Sequence, residues 1–298
     1  MWVMCLKKKH LLAACALVAA AGIGLGVGTV SLLSARAAPA RRPIYSVDTT
    51  EKKVALTFDA AWGNSDTDKL IDILKKHNAK ATFYTTGEWV DNYPADVKKL
   101  YAAGHDIQNH SNHHPHVKNI EPAKLIEDTK ACDDKIEKLI GKRPTQYRAP
   151  YGEFSDSMLE TFEKSLGHKV IQWDVDSIDW KRKSVDEMAS KVPAKVREGS
   201  ILLFHNDLPN TPPALDKILT TLEQKGYSFV LVEDLIYQDN YRLDATGRQI
   251  RTDSTAMSGA ANSTVSAGDK AKQQKPAANN SNADFVKRPV GGNVNSQS

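Results

Sequence analysis

The chain contains 298 residues, of which 41% are hydrophobic and 26% are charged. This composition predicts one globular domain of about 200 residues with additional segments. The 40 basic and 36 acidic residues nearly balance and leave a formal net charge of +4. Because nucleic-acid binding requires a concentrated basic stripe within the fold, we predict no nucleic-acid partner.

Residues 1–37 are predicted to be a signal peptide or an N-terminal membrane anchor. Three lysines at positions 7–9 precede an almost uncharged run over residues 11–33, which is long enough for a bilayer span of about 20 residues. Lysines before such a run favour an extracytoplasmic location for the rest of the chain. The sequence Ala35-Arg36-Ala37 is typical of a cleavage site. A secreted form therefore stays open beside the anchored form that the length of the run favours.

Composition divides the remaining chain into three segments. Residues 38–50 are interpreted as a short linker, and residues 51–241 carry the periodic apolar pattern of a folded domain. Residues 242–298 are predicted to be a disordered, low-complexity tail, because small and polar residues dominate there and cannot bury enough apolar surface to offset the entropy of ordering.

Short apolar runs alternate with longer amphipathic stretches along the predicted domain. The apolar runs predict seven strands, at 54–58, 81–84, 106–108, 146–147, 169–172, 200–204 and 228–231. The amphipathic stretches predict six helices, at 66–77, 96–103, 122–140, 155–165, 185–196 and 213–225. Repeated βα units with short connections favour a parallel sheet or barrel. Seven strands predict an α/β fold that is an incomplete relative of the eight-stranded barrel.

Chemically useful side chains follow five of the predicted strands at their carboxyl ends. They are Asp59, the histidine cluster at 110–116, Arg148, the acidic run Asp174 to Asp179, and His205. The carboxyl ends of the strands form one rim of such a barrel, where the active site lies in this architecture. The coincidence of these groups at one rim therefore predicts an active site.

Each candidate also has a structural interpretation that the sequence leaves open. His110 and His114 are four residues apart and can point both imidazoles at one metal ion, or they belong to a solvated loop. Asp59 is either a shielded general base or a carboxylate that caps a turn. Arg148 either keeps that carboxylate ionised or lies on the surface. His205 is an acid, a ligand or a core histidine.

The ordered set of motifs resembles the NodB-like polysaccharide deacetylases, carbohydrate esterase family 4. The resemblance covers about residues 52–235 and is closest to sporulation and cell-wall deacetylases of Gram-positive bacteria. The matching motifs are Thr57-Phe58-Asp59, Lys80-Ala81-Thr82-Phe83-Tyr84, His110-Ser111-Asn112-His113-His114, Arg148-Ala149-Pro150-Tyr151-Gly152, the segment from Asp176 to Trp180, and Leu203-Phe204-His205.

The resemblance implies a distorted seven-stranded (β/α) barrel that removes N-acetyl groups from an amino-sugar polymer such as peptidoglycan. It implies a role for nine residues: Asp59 as general base, Arg148 as the arginine that orients it, His110 and His114 as metal ligands, Tyr151 as the backbone donor to the oxyanion, Asp176 as the carboxylate that tunes the acid, His205 as that acid, and Trp180 and Leu203 as walls of the acetyl pocket. It also implies a divalent metal, for which two histidines suit zinc better than magnesium.

One position departs from the family pattern. The family usually has a second aspartate after the base, which is its third metal ligand, but this chain has Ala60. Three protein ligands are usual for catalytic zinc, so three hypotheses follow. A substitute ligand completes the site (Asp59 itself, Asn64, Asp66 or His113), or the metal binds weakly with activity retained, or the domain is a silent glycan binder. Hydrolysis of another non-peptide C–N bond is a further alternative.

Overall fold

The computed structural model describes residues 41–252. The predicted signal or anchor segment and the tail beyond residue 252 lie outside this range and stay predictions. Among the residues described, no helix combines the length and the apolar character needed to cross a bilayer.

A curled parallel sheet forms the centre of the fold. Its strands are β2 (Lys53–Ala60), β3 (Ala81–Thr85), β4 (Asp106–Asn109), β5 (Gln146–Tyr147), β6 (Lys169–Val170), β7 (Val175–Asp176), β8 (Ile201–His205) and β9 (Ser228–Val230). Seven of them lie in the order β6-β5-β4-β3-β2-β8-β7, and β9 pairs with the first half of β2. The predicted distorted seven-stranded barrel is confirmed. All seven predicted strands are present, whereas β7 was not predicted.

Eight helices connect or cover the strands of the described chain. They are α1 (Thr67–Lys76), α2 (Gly87–Asn92), α3 (Pro94–Ala102), α4 (Pro122–Ile140), α5 (Asp156–Thr161), α6 (Val185–Lys195), α7 (Thr211–Gln224) and α8 (Val232–Leu235). Their starts follow local chemistry: Thr86, Ser155 and Ser184 accept hydrogen bonds from the first turns of α2, α5 and α6. Such side-chain caps satisfy backbone N–H groups that lack a partner inside the helix.

The strand β2 shows how the sheet separates core from cleft. Successive side chains of a strand point to opposite faces. Leu56, Phe58 and Ala60 join the apolar cluster between the sheet and the helices. Thr57 and Asp59 lie on the other face, where both bond to Arg148 inside the barrel. A polar interior at the carboxyl end of β2 follows directly from this alternation.

The folded part extends beyond both predicted limits of the domain. Strand β1 (Ser46–Val47) lies in the predicted linker, while β10 (Tyr241–Leu243) and β11 (Arg248–Arg251) lie at and beyond the predicted start of the tail. β11 pairs in parallel with β1 and antiparallel with β10. For residues 44–47 and 242–251, the linker and tail predictions were therefore wrong.

The same N-terminal segment closes a gap in the barrel. The backbone of Ile44 bonds to Val170 and Gln172 at the end of β6. Three residues later, the N–H of Val47 donates to the carbonyl of Gly199, just before β8, at 2.9 Å. A Cβ at Gly199 would lie 2.0 Å from the Val47 carbonyl oxygen, so this close approach requires glycine. We call residues 44–47 the seam strand.

Candidate active site

A cleft of about 730 Å³ opens at the carboxyl ends of the strands. Eight of the nine predicted site residues line it: Asp59, His110, His114, Tyr151, Asp176, Trp180, Leu203 and His205. The ninth, Arg148, is fully buried behind Asp59. The side chains that the sequence places at strand ends thus meet in one cavity.

Asp59 is held by Arg148. A guanidinium N–H of Arg148 donates to Oδ1 of Asp59 at 2.8 Å, and the same nitrogen donates to Thr57 at 2.8 Å. The other guanidinium nitrogens donate to the carbonyls of Ile171 and Gln172. Since a charge-assisted bond inside the protein is strong and directional, Arg148 fixes the orientation of the carboxylate.

The electrostatics around Asp59 keep it ionised. Burial by itself raises the pKa of this carboxyl, but the charge and hydrogen bond of Arg148, together with His110 and His205, outweigh burial and hold the pKa below its ordinary value. A carboxylate that stays charged near neutral pH can accept a proton from a water molecule.

His110 and His114 form a pair of neutral imidazoles beside Asp59. Their ring centroids are 5.0 Å apart. Nδ1 of His110 lies 2.8 Å from the carbonyl oxygen of Arg148, so it carries the proton and leaves Nε2 free, 3.6 Å from Oδ2 of Asp59. Burial lowers the pKa of His110 to about 4 and also lowers the pKa of His114. Both rings therefore have the protonation state that a metal ligand requires.

His205 ends β8 directly beside Asp59 of β2, because the two residues are partners in the parallel register. Its Nδ1 lies 2.7 Å from Oδ1 of Asp179, and its backbone N–H donates to Oδ2 of the same carboxylate at 2.8 Å. Burial lowers the pKa of His205, but the hydrogen bond and charge of Asp179, with smaller effects of the charges of Asp59 and Asp176, outweigh burial and raise the pKa above its ordinary value.

The carboxylate that hydrogen-bonds His205 is Asp179, whereas the charge of the predicted Asp176 has only a smaller effect on the pKa of His205. Asp176 lines the cleft, but its carboxylate accepts the backbone N–H of Ile178 at 2.7 Å. The turn that this bond closes places Ile178 at φ 58° and brings Asp179 against His205. Asp179 is buried and also accepts the hydroxyl of Thr211 at 2.9 Å. The sequence offered both aspartates, and only the turn geometry separates their roles.

Tyr151, Trp180 and Leu203 lie where the resemblance implies substrate contacts. Tyr151 has a left-handed backbone (φ 60°), and its exposed ring stacks on His116 with centroids 4.1 Å apart. Within residues 41–252 its backbone N–H has no hydrogen-bond acceptor, which leaves that group available to an oxyanion. Trp180 is exposed at the mouth, and Leu203 is buried at the wall.

The residues present supply only part of a metal site. Ala60 is fully buried and offers no donor atom. Among the predicted substitutes, Asn64 donates to Asp96 and His113 contacts Asp128. Across residues 41–252, no three His, Cys, Asp or Glu side chains gather closely enough to hold an ion. Two imidazoles therefore do not fit the three-donor site of catalytic zinc.

The exposed residue Trp62 was not among the predicted site residues. It lines the cleft, and its ring lies 6.0 Å from that of His114 and 5.8 Å from that of His205, measured between centroids. Its position two residues after Ala60, in the loop that follows β2, was the available signal.

A βα barrel with Asp59, His205 and a histidine pair at one rim is the arrangement that the resemblance to carbohydrate-active hydrolases implies. The family model described as polysaccharide deacetylase matches residues 46–171. The chain is 33% identical over 203 residues to the peptidoglycan-N-acetylmuramic acid deacetylase PdaA of Bacillus subtilis, which is 67% of this chain and 77% of PdaA. The chain belongs to the polysaccharide deacetylase family.

Two further likenesses bear on function. The chain is 33% identical over 195 residues to the uncharacterized protein YlxY of Bacillus subtilis, which is 65% of this chain and 60% of YlxY. The crystal structure of BA3943 of Bacillus anthracis, described as a CE4 family pseudoenzyme, matches with a TM-score of 0.63 and 30% identity over 70% of each chain. The family therefore includes both deacetylases and a protein described as a pseudoenzyme.

Proposed function

We propose that this chain hydrolyses N-acetyl groups of an amino-sugar polymer, peptidoglycan or a chitin-like glycan. One observation carries the proposal: Asp59 and His205 are register partners on β2 and β8, and each has its own buried partner, Arg148 or Asp179. Adjacent positions on parallel strands project to the same face. A base and an acid thus lie side by side, each held by a group that sets its charge.

The reaction follows from these charges. Asp59 accepts a proton from water, and the water oxygen attacks the carbonyl carbon of the acetamide. The backbone N–H of Tyr151 can donate to the resulting oxyanion. The C–N bond then breaks as His205 gives a proton to the leaving amine. Because Nδ1–H of His205 donates to Asp179, the transferable proton is on Nε2. The products are acetate and a free amino sugar.

A divalent metal is part of the chemistry that the family resemblance implies, and two imidazoles suit zinc, cobalt or nickel better than magnesium. His110 and His114 are the residues that would hold it. Because Ala60 supplies no third donor atom, we propose that the metal binds weakly. The acid and base steps described above depend only on side chains of this chain.

The substrate and location are proposed from the relatives and the N-terminal sequence. PdaA is by name a deacetylase of peptidoglycan, which is an extracytoplasmic polymer. The lysines at 7–9 and the apolar run at 11–33 support an extracytoplasmic protein of the bacterial cell envelope, secreted or attached to the membrane. A glycan polymer and the membrane are therefore the proposed partners.

A second candidate is glycan binding without catalysis. Ala60 removes a metal donor, and the chain resembles BA3943, which is described as a pseudoenzyme. Against this candidate, binding alone does not require the Asp59–Arg148 and His205–Asp179 pairs.

Acetate release from N-acetylglucosamine oligomers and from peptidoglycan separates the two candidates. We expect the full-length protein to release acetate, with zinc added or omitted as separate arms, and we expect Asp59→Asn and His205→Ala each to lower the rate by about 100-fold or more. No release in any arm, together with saccharide binding, would instead establish the binding candidate. A rate that survives both substitutions would show that the cleft residues are not the acid and base.

A further inference from the structure

Large apolar side chains that remain exposed are concentrated around the cleft. Within residues 41–252 there are four of them, and Trp62, Tyr151 and Trp180 all line the cleft, whereas Tyr101 does not. An exposed aromatic surface grouped at one place signals a binding site. Tyr151 and Trp180 belong to motifs already assigned to the site, but Trp62 does not.

Trp62 lies beside the reacting groups rather than at the outer edge of the mouth. Its ring lies near the rings of both His114 and His205, at centroid distances of 6.0 and 5.8 Å and with interplanar angles of 52° and 46°. The side chain is nevertheless 53% exposed. A large part of the indole is thus open in the same cleft as Asp59 and His205, the groups proposed to cleave the acetamide.

The loop that carries Trp62 is fixed from several sides. The carbonyl of Gly63 accepts hydrogen bonds from the indole of Trp89 at 2.9 Å and from the amide of Asn206 at 2.5 Å. The backbone N–H and hydroxyl of Ser65 both donate to Asp207. A Cβ at Gly63 would lie 2.3 Å from the Asp207 carboxylate, so glycine allows this tight packing.

We infer that Trp62 is a saccharide-binding platform: one face of a pyranose ring packs on its indole and its acetamide is thereby placed between Asp59 and His205. The C–H face of a pyranose is apolar, and an aromatic ring offers it a large flat surface that loses little freedom on binding. A fixed platform beside the acid and base provides the orientation on which the reaction depends. The inference rests on the proposed function, since it places a sugar in the same cleft.

Binding measured separately from turnover tests this role. An Asp59→Asn background prevents hydrolysis, and the dissociation constant of N-acetylglucosamine tetramer is measured by calorimetry on the full-length chain. Adding Trp62→Ala should weaken binding about tenfold, the loss of one aromatic stacking contact. Trp62→Phe should recover most of that loss. Tyr101→Ala, an exposed aromatic outside the cleft, is the matched control and should leave binding unchanged.

The outcomes separate this inference from the deacetylase proposal. Equal affinity for Trp62→Ala and its parent, or an equal loss in Tyr101→Ala, overturns the platform, and so does a parent that binds no tetramer. Weaker binding in Trp62→Ala with recovery by phenylalanine supports it, even where the wild-type chain releases no acetate. An unchanged melting temperature of Trp62→Ala shows that lost affinity does not come from unfolding, because the ring is half-exposed.

Discussion

The two sides of the cleft differ in how completely they are built. On one side, the proposed base Asp59 and the proposed acid His205 each have a charged, buried partner in direct contact. On the other side, His110 and His114 are neutral, but the position of the family's third metal ligand is Ala60, which is buried among core residues. The proposed acid and base are therefore complete in this chain, whereas the proposed metal site is not.

Removing Arg148 should have the largest effect, because Asp59 would remain buried without its cation. We expect Arg148→Met to lower the free energy of unfolding by about 3–5 kcal/mol at pH 7, measured by urea denaturation. The loss should shrink toward pH 4. Without Arg148 the folded-state pKa of Asp59 is raised by burial, so protonation at low pH relieves the penalty.

Arg41→Met is the matched control for that substitution. Arg41 pairs with Glu163 at the surface, and exposed ion pairs contribute little to stability, so its unfolding curve should resemble that of the wild type. A similar stability for Arg148→Met and Arg41→Met would contradict the buried pairing.

We expect the second largest effect from restoring the missing metal donor, which should raise the affinity for zinc. Ala60→Asp restores the carboxylate that the family resemblance implies as the third metal ligand, and we expect zinc affinity to rise on the order of 100-fold or more, since even outer-shell partners of a metal site contribute 10–100-fold. A competition titration with a chromogenic chelator measures the change. Ala61→Asp adds the same charge one residue later and should leave the zinc affinity near that of the wild type. An equal gain in affinity in both variants would contradict the assignment of position 60 as the missing metal donor.

Asp179→Asn should change the pH dependence of the reaction. Asp179 raises the pKa of His205, so the protonated acid persists to higher pH in the wild type. We expect the alkaline limb of the pH–rate profile to move to lower pH, so that activity on that limb falls below that of the wild type.

The His205–Asp179 pair should also affect the pH dependence of the free energy of unfolding. The raised pKa of His205 stabilises the folded state. The full stabilisation is present when the pH is below the histidine pKa of the unfolded state, and it is lost as the pH rises through the histidine pKa of the folded state. The difference in unfolding free energy between the wild type and Asp179→Asn should thus be larger at pH 5 than at pH 9. A pH-independent difference would argue against a charged His205–Asp179 pair.

Asp176→Asn should have the smallest effect. The asparagine oxygen can still accept the backbone N–H of Ile178, so we expect acetate release to stay within about threefold of the wild type and the alkaline limb to stay in place. A shift of the limb equal to that of Asp179→Asn would instead restore Asp176 as the tuning carboxylate.

The sequence predicted the sheet and most of the site because both depend on local patterns. Strands such as β2 are continuous apolar runs, and the residue after each run falls at the active rim of a barrel whatever the details of packing. That reasoning placed Asp59, His110, Arg148 and His205 together before any contact was known.

The misses share a different physical origin. Strands β1 and β7 have two residues each, and their positions are set by pairing with β11 and β8 rather than by a pattern in their own sequence. The choice of Asp179 over Asp176 depends on a turn with a positive φ at Ile178. The role inferred for Trp62 depends on bonds from Trp89 and Asn206 to its neighbour Gly63.

The seam strand has a consequence for the order of folding. It joins the barrel between β6 and β8. It also pairs with β11, which is the last strand in the described residues. Contacts between such distant segments form slowly, because a long loop must close first. We therefore expect the barrel wall between β6 and β8 to be completed late in folding. A chain cut to residues 51–241 would leave that wall permanently open, with unpaired strand edges available to other molecules.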